Sequence, residues 1–137
     1  MSIAHDVATD SKCVSLQVGC VLVKDGHIIS TGVNGTPKGY VNCNSVWSCR
    51  CPEHSAWSEK FEIHAEMNAI GFCPVSVEGS TAYVTHSPCF PCVKHMIAFG
   101  IKHIIYAERY YRSTDAEIEE IEEFCRVKQV SYNIMGD

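Results

Sequence analysis

The segment Pro88-Cys89-Phe90-Pro91-Cys92, taken with His64-Ala65-Glu66, constrains the fold of this chain more than any other feature. Cys89 and Cys92 stand three apart, the spacing at which two thiolates converge on one ion, and His64 lies 25 residues upstream as a third ligand. Three protein ligands leave a fourth position for water, which separates a catalytic zinc from a closed structural one. Residues two apart do not share a helix face, so His64 and Glu66 would diverge in mid-helix. At a helix N-terminus the ion can lie off the end of the axis, where side chains from different faces meet. Ser87 as cap and Pro88 at the first helical position would start a second helix beside Cys89. Pro91 is tolerated there because first-turn N–H groups have no intrahelical acceptor. The fold must therefore aim two helix starts at one point, and their partial positive charge favours the thiolate forms of both cysteines. Alone, Cys-x-x-Cys is equally a redox pair or half of a closed zinc site.

These two cysteines are among nine in 137 residues. An odd number of thiols, in a chain whose start lacks a basic region followed by an apolar stretch, reads as metal binding or catalysis before disulfides. No apolar run approaches the roughly 20 residues that cross a bilayer, so no membrane partner is expected and the expected location is cytoplasmic. A composition 46% hydrophobic and 20% charged fits one domain over residues 1–137, and no repeat or linker divides it. The net charge of −5 argues against a polynucleotide partner, which needs a basic face, but allows a small anionic ligand.

Ser2 can cap a short helix over 3–11. Residues 18–24 and 27–33 flank Asp25-Gly26 and read as a β-hairpin. Residues 34–58 are polar, rich in Gly and Cys, and read as an irregular stretch that is functional or tied down. A helix is predicted from Glu62 to Gly71, a strand over 81–85, a helix over 88–99 closed by Gly100, and a strand over 103–107. Asp115 can cap an acidic helix running to Val127, and 130–134 can form a last strand. Strands alternating with helices after a hairpin predict an α/β fold, a three-layer α/β/α sandwich with a mixed sheet of about five strands. Cys20, Cys73 and Cys125 sit in apolar surroundings and read as small core residues.

His-x-Glu followed by Pro-Cys-x-x-Cys is the signature of zinc-dependent nucleobase deaminases. Ser11-Lys12-Cys13, Val18-Gly19-Cys20-Val21-Leu22-Val23, Thr31-Gly32-Val33-Asn34-Gly35-Thr36-Pro37, Val41-Asn42-Cys43, His54-Ser55-Ala56-Trp57 and the run Glu62 to Ile70 closely resemble deoxycytidylate deaminases, notably the bacteriophage type. The resemblance extends to about Tyr110. It implies a cytidine deaminase-like fold and hydrolysis of dCMP to dUMP and ammonia in pyrimidine deoxynucleotide metabolism, in a host cytoplasm if the chain is phage-encoded. Zn²⁺ would be held by His64, Cys89 and Cys92, with Glu66 moving protons. Asn34, Ala65, Tyr110 and Ser15 would contact substrate, although Asn34-Gly35 is equally a good turn pair and Tyr110 equally an ordinary half-exposed tyrosine. Lys12, Ser15, Lys38, Arg109 and Arg112 are candidate donors to the 5′-phosphate.

In the phage enzymes a second, non-catalytic zinc is held at positions matching Cys13, Cys43, His54 and Glu62. Between Asn44 and Glu53 this chain is shorter than that pattern and adds Cys49 and Cys51, so Cys43, Cys49, Cys51 and His54 form an alternative set. The resemblance further implies a homohexamer activated by dCTP and inhibited by dTTP, each with Mg²⁺, at a subunit-boundary site that would use Gly35, Lys38, Gly39 and Asn42. As an alternative, those residues form only a loop. The competing activities are nucleoside cytidine or deoxycytidine deaminase, guanine deaminase and tRNA adenosine deaminase. Outside enzymes the alternative is a zinc-stabilised nucleic-acid or interaction module, which has no need of Glu66.

Overall fold

The computed structural model describes residues 1–136. Helix α1 (Ser2–Ala8) precedes strands β1 (Gly19–Lys24) and β2 (His27–Val33), joined directly through Asp25 and Gly26, both at positive φ as Asp-Gly predicts. Two short helices follow, α2 (Cys43–Val46) and α3 (Pro52–Phe61), then α4 (Ala65–Gly71), β3 (Thr81–His86), α5 (Phe90–Ala98), β4 (His103–Glu108), α6 (Asp115–Val127) and β5 (Ser131–Ile134). The five strands form one mixed sheet in the order β2-β1-β3-β4-β5, with β1 antiparallel to both neighbours and β3, β4 and β5 parallel. Among the described residues no helix is long and apolar enough to cross a membrane.

Two glycines reveal the layering. Residues paired across strands share a face of the sheet. Gly32, opposite Cys20, meets the backbone of α4 at Ala65 and Ala69, whereas Gly19, opposite Val33, meets the backbone of α1 at Ala4 and Ala8. Helices α1 and α4 therefore lie on opposite faces, and α5 packs against α4 and α6. This is the expected three-layer arrangement, with Leu22, Val84, Val93, Met96, Ile104 and Ile121 at the centre of its core.

The structure corrects several local expectations. The 34–58 stretch is not irregular throughout, because it contains α2 and α3. Helix α3 begins with Pro52 in its first turn and packs through aromatic rings, Trp57 against Phe61 and Trp47, and Tyr40 against Phe61. It carries no aliphatic stripe for periodicity to detect. Helix α4 starts at Ala65, not Glu62, because Gly35 and Ile63 exchange backbone hydrogen bonds of 3.0 and 2.7 Å that keep 62–64 extended. Ser87 does not cap α5. Its N–H donates to the Glu108 carbonyl and its Oγ accepts the Tyr110 N–H, so Cys89 becomes the cap residue. Helix α6 is capped by Thr114, whose Oγ1 accepts the Glu117 N–H, while Asp115 pairs with Arg109. Ser2 is the first residue inside α1, behind Met1.

Because a Cβ at position 32 would meet backbone rather than a flexible side chain, Gly32→Ala should cost about 1–3 kcal/mol or more. Gly71, which ends α4 in open space, should gain up to about 1 kcal/mol on replacement by Ala. Urea unfolding of both variants beside the parent checks the pair of signs.

Candidate metal centre and active-site cavity

His64 is the cap residue of α4 and Cys89 the cap residue of α5, with Cys92 in the first turn of α5. The His64 side chain makes no bond to its own helix. His64 Nδ1 instead lies 3.1 Å from Cys92 Sγ and 3.4 Å from Cys89 Sγ, and all three ligand atoms fall within 4.8 Å of one another. Tetrahedral zinc with Zn–S near 2.3 Å and Zn–N near 2.0–2.1 Å requires ligand edges of about 3.5–3.8 Å, so the group fits one zinc ion with a side left open. His64 itself is exposed.

The electrostatics agree with this geometry. A hydrogen bond from Cys92, helped by His64, draws the Cys89 thiol down to about 4. Cys92 is pushed up, first because it donates to Cys89 and then because it is buried. The Cys89 sulfur raises His64 to about 9. Glu66, in the first turn of α4, is only 4% exposed, and burial lifts its carboxyl above the ordinary range while the neighbouring His64 opposes the shift. Its carboxylate is not among the grouped ligand atoms.

A second group gathers around Glu62, two residues before His64. Cys13, Cys43, His54 and Glu62 also place their ligand atoms within 4.8 Å of one another. Cys43 Sγ lies 3.0 Å and Cys13 Sγ 4.0 Å from His54 Nε2. His54 is 2% exposed, and Glu62 Oε1 is shut off from solvent without a hydrogen-bond partner. A buried carboxylate oxygen with nothing to accept is costly unless a cation faces it, so this donor set fits a closed tetrahedral metal site. Burial pushes the Cys43 thiol up to about 12. Cys49 and Cys51 are not part of the group; their sulfurs touch each other at 2.9 Å on the surface. Cys20 and Cys125 are core thiols, and Cys73 packs against the core from its edge.

A cavity of about 290 Å³ opens over both groups. Asn34, Ala65, Glu66, Tyr110 and Ser15 all line it. Asn34 is partly committed: its Oδ1 accepts the Val18 N–H at 2.9 Å and its Nδ2 donates to the Leu16 carbonyl at 2.8 Å. One N–H and one lone pair of the amide remain for a ligand. Gly35, Lys38 and Asn42 line a different cavity of about 550 Å³, together with Lys12; Gly39 is not on its wall. The sequence patterns missed two residues. His86 ends β3 inside the catalytic cavity, 3.1 Å from Glu108, and its signal was its place at the end of a parallel strand just before the cysteine motif. Arg50, which no motif marks, reaches Ser15 and Tyr111.

The comparisons with known proteins agree with this arrangement. Residues 1–108 match the family described as the cytidine and deoxycytidylate deaminase zinc-binding region. The deoxycytidylate deaminase of Enterobacteria phage T2 is 40% identical, across 80% of this chain and 78% of that protein. The deoxycytidylate deaminase of Mycobacterium phage D29 is 35% identical, across 77% and 89%. The crystal structure of dCMP deaminase from the cyanophage S-TIM5 in complex with dCMP and dUMP matches with a TM-score of 0.79 and 30% identity, over 98% of this chain and 92% of that one. With two helix starts converging through His64, Cys89 and Cys92 beside a buried glutamate, the chain belongs to the cytidine and deoxycytidylate deaminase zinc-binding family.

Proposed function

We propose that this chain hydrolyses dCMP to dUMP and ammonia. The observation that carries the reading is the buried Glu66 carboxylate beside the His64, Cys89 and Cys92 group on the wall of one cavity. Zinc, when bound there, lowers the pKa of a water toward about 7. Glu66 takes a proton from the attacking water, delivers it to N3 of the pyrimidine as C4 is attacked, and then serves the departing amine. One carboxylate serves all of this because it is an acid once it has been a base. Burial that raises its pKa moves it toward the operating pH, where a proton carrier works best. Ala65 and Asn34 would hold the nucleotide, with Tyr110 closing the wall.

The second group reads as a structural zinc site, supported by the orphaned Glu62 oxygen. The larger cavity reads as the place for dCTP or dTTP with Mg²⁺ in a hexamer, supported by Lys12 and Lys38 on a wall that also holds the Gly35 backbone.

Glu66→Gln should keep fold and zinc content but lose about 10²–10⁴-fold in turnover, measured as ammonia release from dCMP. Unchanged deamination would refute the proton-carrying role assigned to Glu66. Metal analysis should give two zinc ions per chain, falling to one in His54→Ala with a lower melting temperature; one zinc in the parent protein removes the second site. Saturation with dCMP should shift toward lower concentrations with dCTP–Mg²⁺ and higher with dTTP–Mg²⁺. A hyperbolic curve that neither nucleotide moves would count against regulation.

A further inference from the structure

The cavity's metal groups and Glu66 account for the base end of a nucleotide, and they leave open what holds its 5′-phosphate. The cations sort themselves by position. Arg109 is spent on Asp115 at 2.7 Å and on the Ser113 carbonyl. Lys12 and Lys38 line the other cavity. Arg112 lines the catalytic cavity with Ser15 and Ser55. Arg50, on the turn between α2 and α3, stands outside the cavity lining and meets it at Ser15, its Nε–H donating to Ser15 Oγ at 3.4 Å and its terminal N–H to Tyr111 Oη at 3.2 Å. Arg112 donates to Ser55 Oγ at 3.4 Å. Both guanidinium carbons lie 5.4 Å from the centre of the Tyr111 ring.

Among the described residues neither guanidinium pairs with a carboxylate. Their hydrogen bonds go to hydroxyls at long range, and these are readily exchanged for anionic oxygens. In a chain of net charge −5, two unpaired cations on one tyrosine are the exception, and their mutual repulsion is relieved when an anion joins them. Aromatic stacking leaves the N–H edges of a guanidinium free to bind a phosphate in forked geometry. In the turn that carries Arg50 the Cys49 and Cys51 sulfurs lie 2.9 Å apart, and His54 in the following helix is buried in the second ligand group. The other carboxylates lining the cavity have their own assignments or positions, Glu66 in the chemistry, Glu62 in the second group and Glu59 on the exposed surface.

We propose that Arg50 and Arg112, organised by Tyr111, clamp the 5′-phosphate at the cavity mouth, and that Arg50 sets the preference for the monophosphate over the bare nucleoside. The proposal rests on the deaminase reading of the cavity. Arg50 comes from the stretch where this chain departs from the phage pattern, so the device belongs to this chain's own loop.

The test is initial-rate ammonia release from dCMP and from deoxycytidine, using zinc-loaded parent, Arg50→Gln, Arg50→Lys and Arg112→Gln. The ratio of kcat/KM for the two substrates should fall about 10- to 100-fold in each Gln variant, mainly through KM for dCMP. Arg50→Lys keeps a charge without the fork and should fall between parent and Arg50→Gln. An unchanged ratio in Arg50→Gln overturns the clamp. Inhibition of the parent enzyme needs no substitution: dUMP should inhibit at least about 10-fold better than deoxyuridine at low salt, with the gap narrowing as salt rises, and inorganic phosphate alone should compete with dCMP. Equal inhibition by dUMP and deoxyuridine overturns it as well. Parent protein that deaminates both substrates alike keeps the deaminase reading and loses the clamp; parent protein that releases ammonia from neither loses both.

Discussion

Everything at the catalytic site depends on two helix N-termini being aimed at one point by residues that would ordinarily cap them. A cap side chain normally accepts a first-turn N–H, worth about 1 kcal/mol. His64 and Cys89 occupy the cap positions of α4 and α5 but turn toward each other and Cys92 instead. Helix α6, away from the site, keeps an ordinary threonine cap. At the two helices that carry the ligands the cap side chains face each other, and a bound ion would tie both helix ends together. Two sets of backbone contacts make this possible: the Gly35–Ile63 bridge, which delays the start of α4, and the Ser87 hydrogen bonds to 108 and 110, which delay that of α5.

The stretch from residue 34 to 64 has a different source of order. It adds little to the aliphatic core, which is built from the sheet and the helices α4, α5 and α6. Its order comes from packed rings, Tyr40 stacked on Phe61 with Trp57 meeting Trp47 edge-on and Phe61 at a tilt, and from the grouping of Cys13, Cys43, His54 and Glu62. Cys13 lies beyond α1, Cys43 opens α2, His54 is in α3 and Glu62 ends it. One cluster thus fastens four separate pieces of chain that hydrophobic burial alone would leave loose.

This division explains what could be read in advance. The hairpin, the parallel strands and α6 follow from Asp-Gly chemistry and apolar periodicity, and they lie where predicted within a few residues. His64, Glu66, Cys89 and Cys92 were legible because metal chemistry fixes residue types and spacing together. Helix α3 was not, since its buried face is aromatic rings and a histidine. Helix starts were displaced because Ser87 and Ile63 answer to partners 21 to 28 residues away, and no local pattern carries that information. Arg50 was invisible for the same reason: its meaning lies in Tyr111, 61 residues further on.

The extended segment 62–64 also divides the two cavities. Alternate residues of an extended chain point to opposite sides. Glu62 and His64 accordingly line the catalytic cavity, while Ile63 between them lines the larger one. Asn34 and Cys13 border both. A ligand pressing on Ile63 or Gly35 in the larger cavity would therefore act on the backbone pairing that holds His64 at the end of α4. No long relay is needed, because the element that separates the cavities is the one that positions the metal ligand. Both states of such a device would share the same sheet and core, and would differ only in how firmly three residues hold one histidine and one carboxylate.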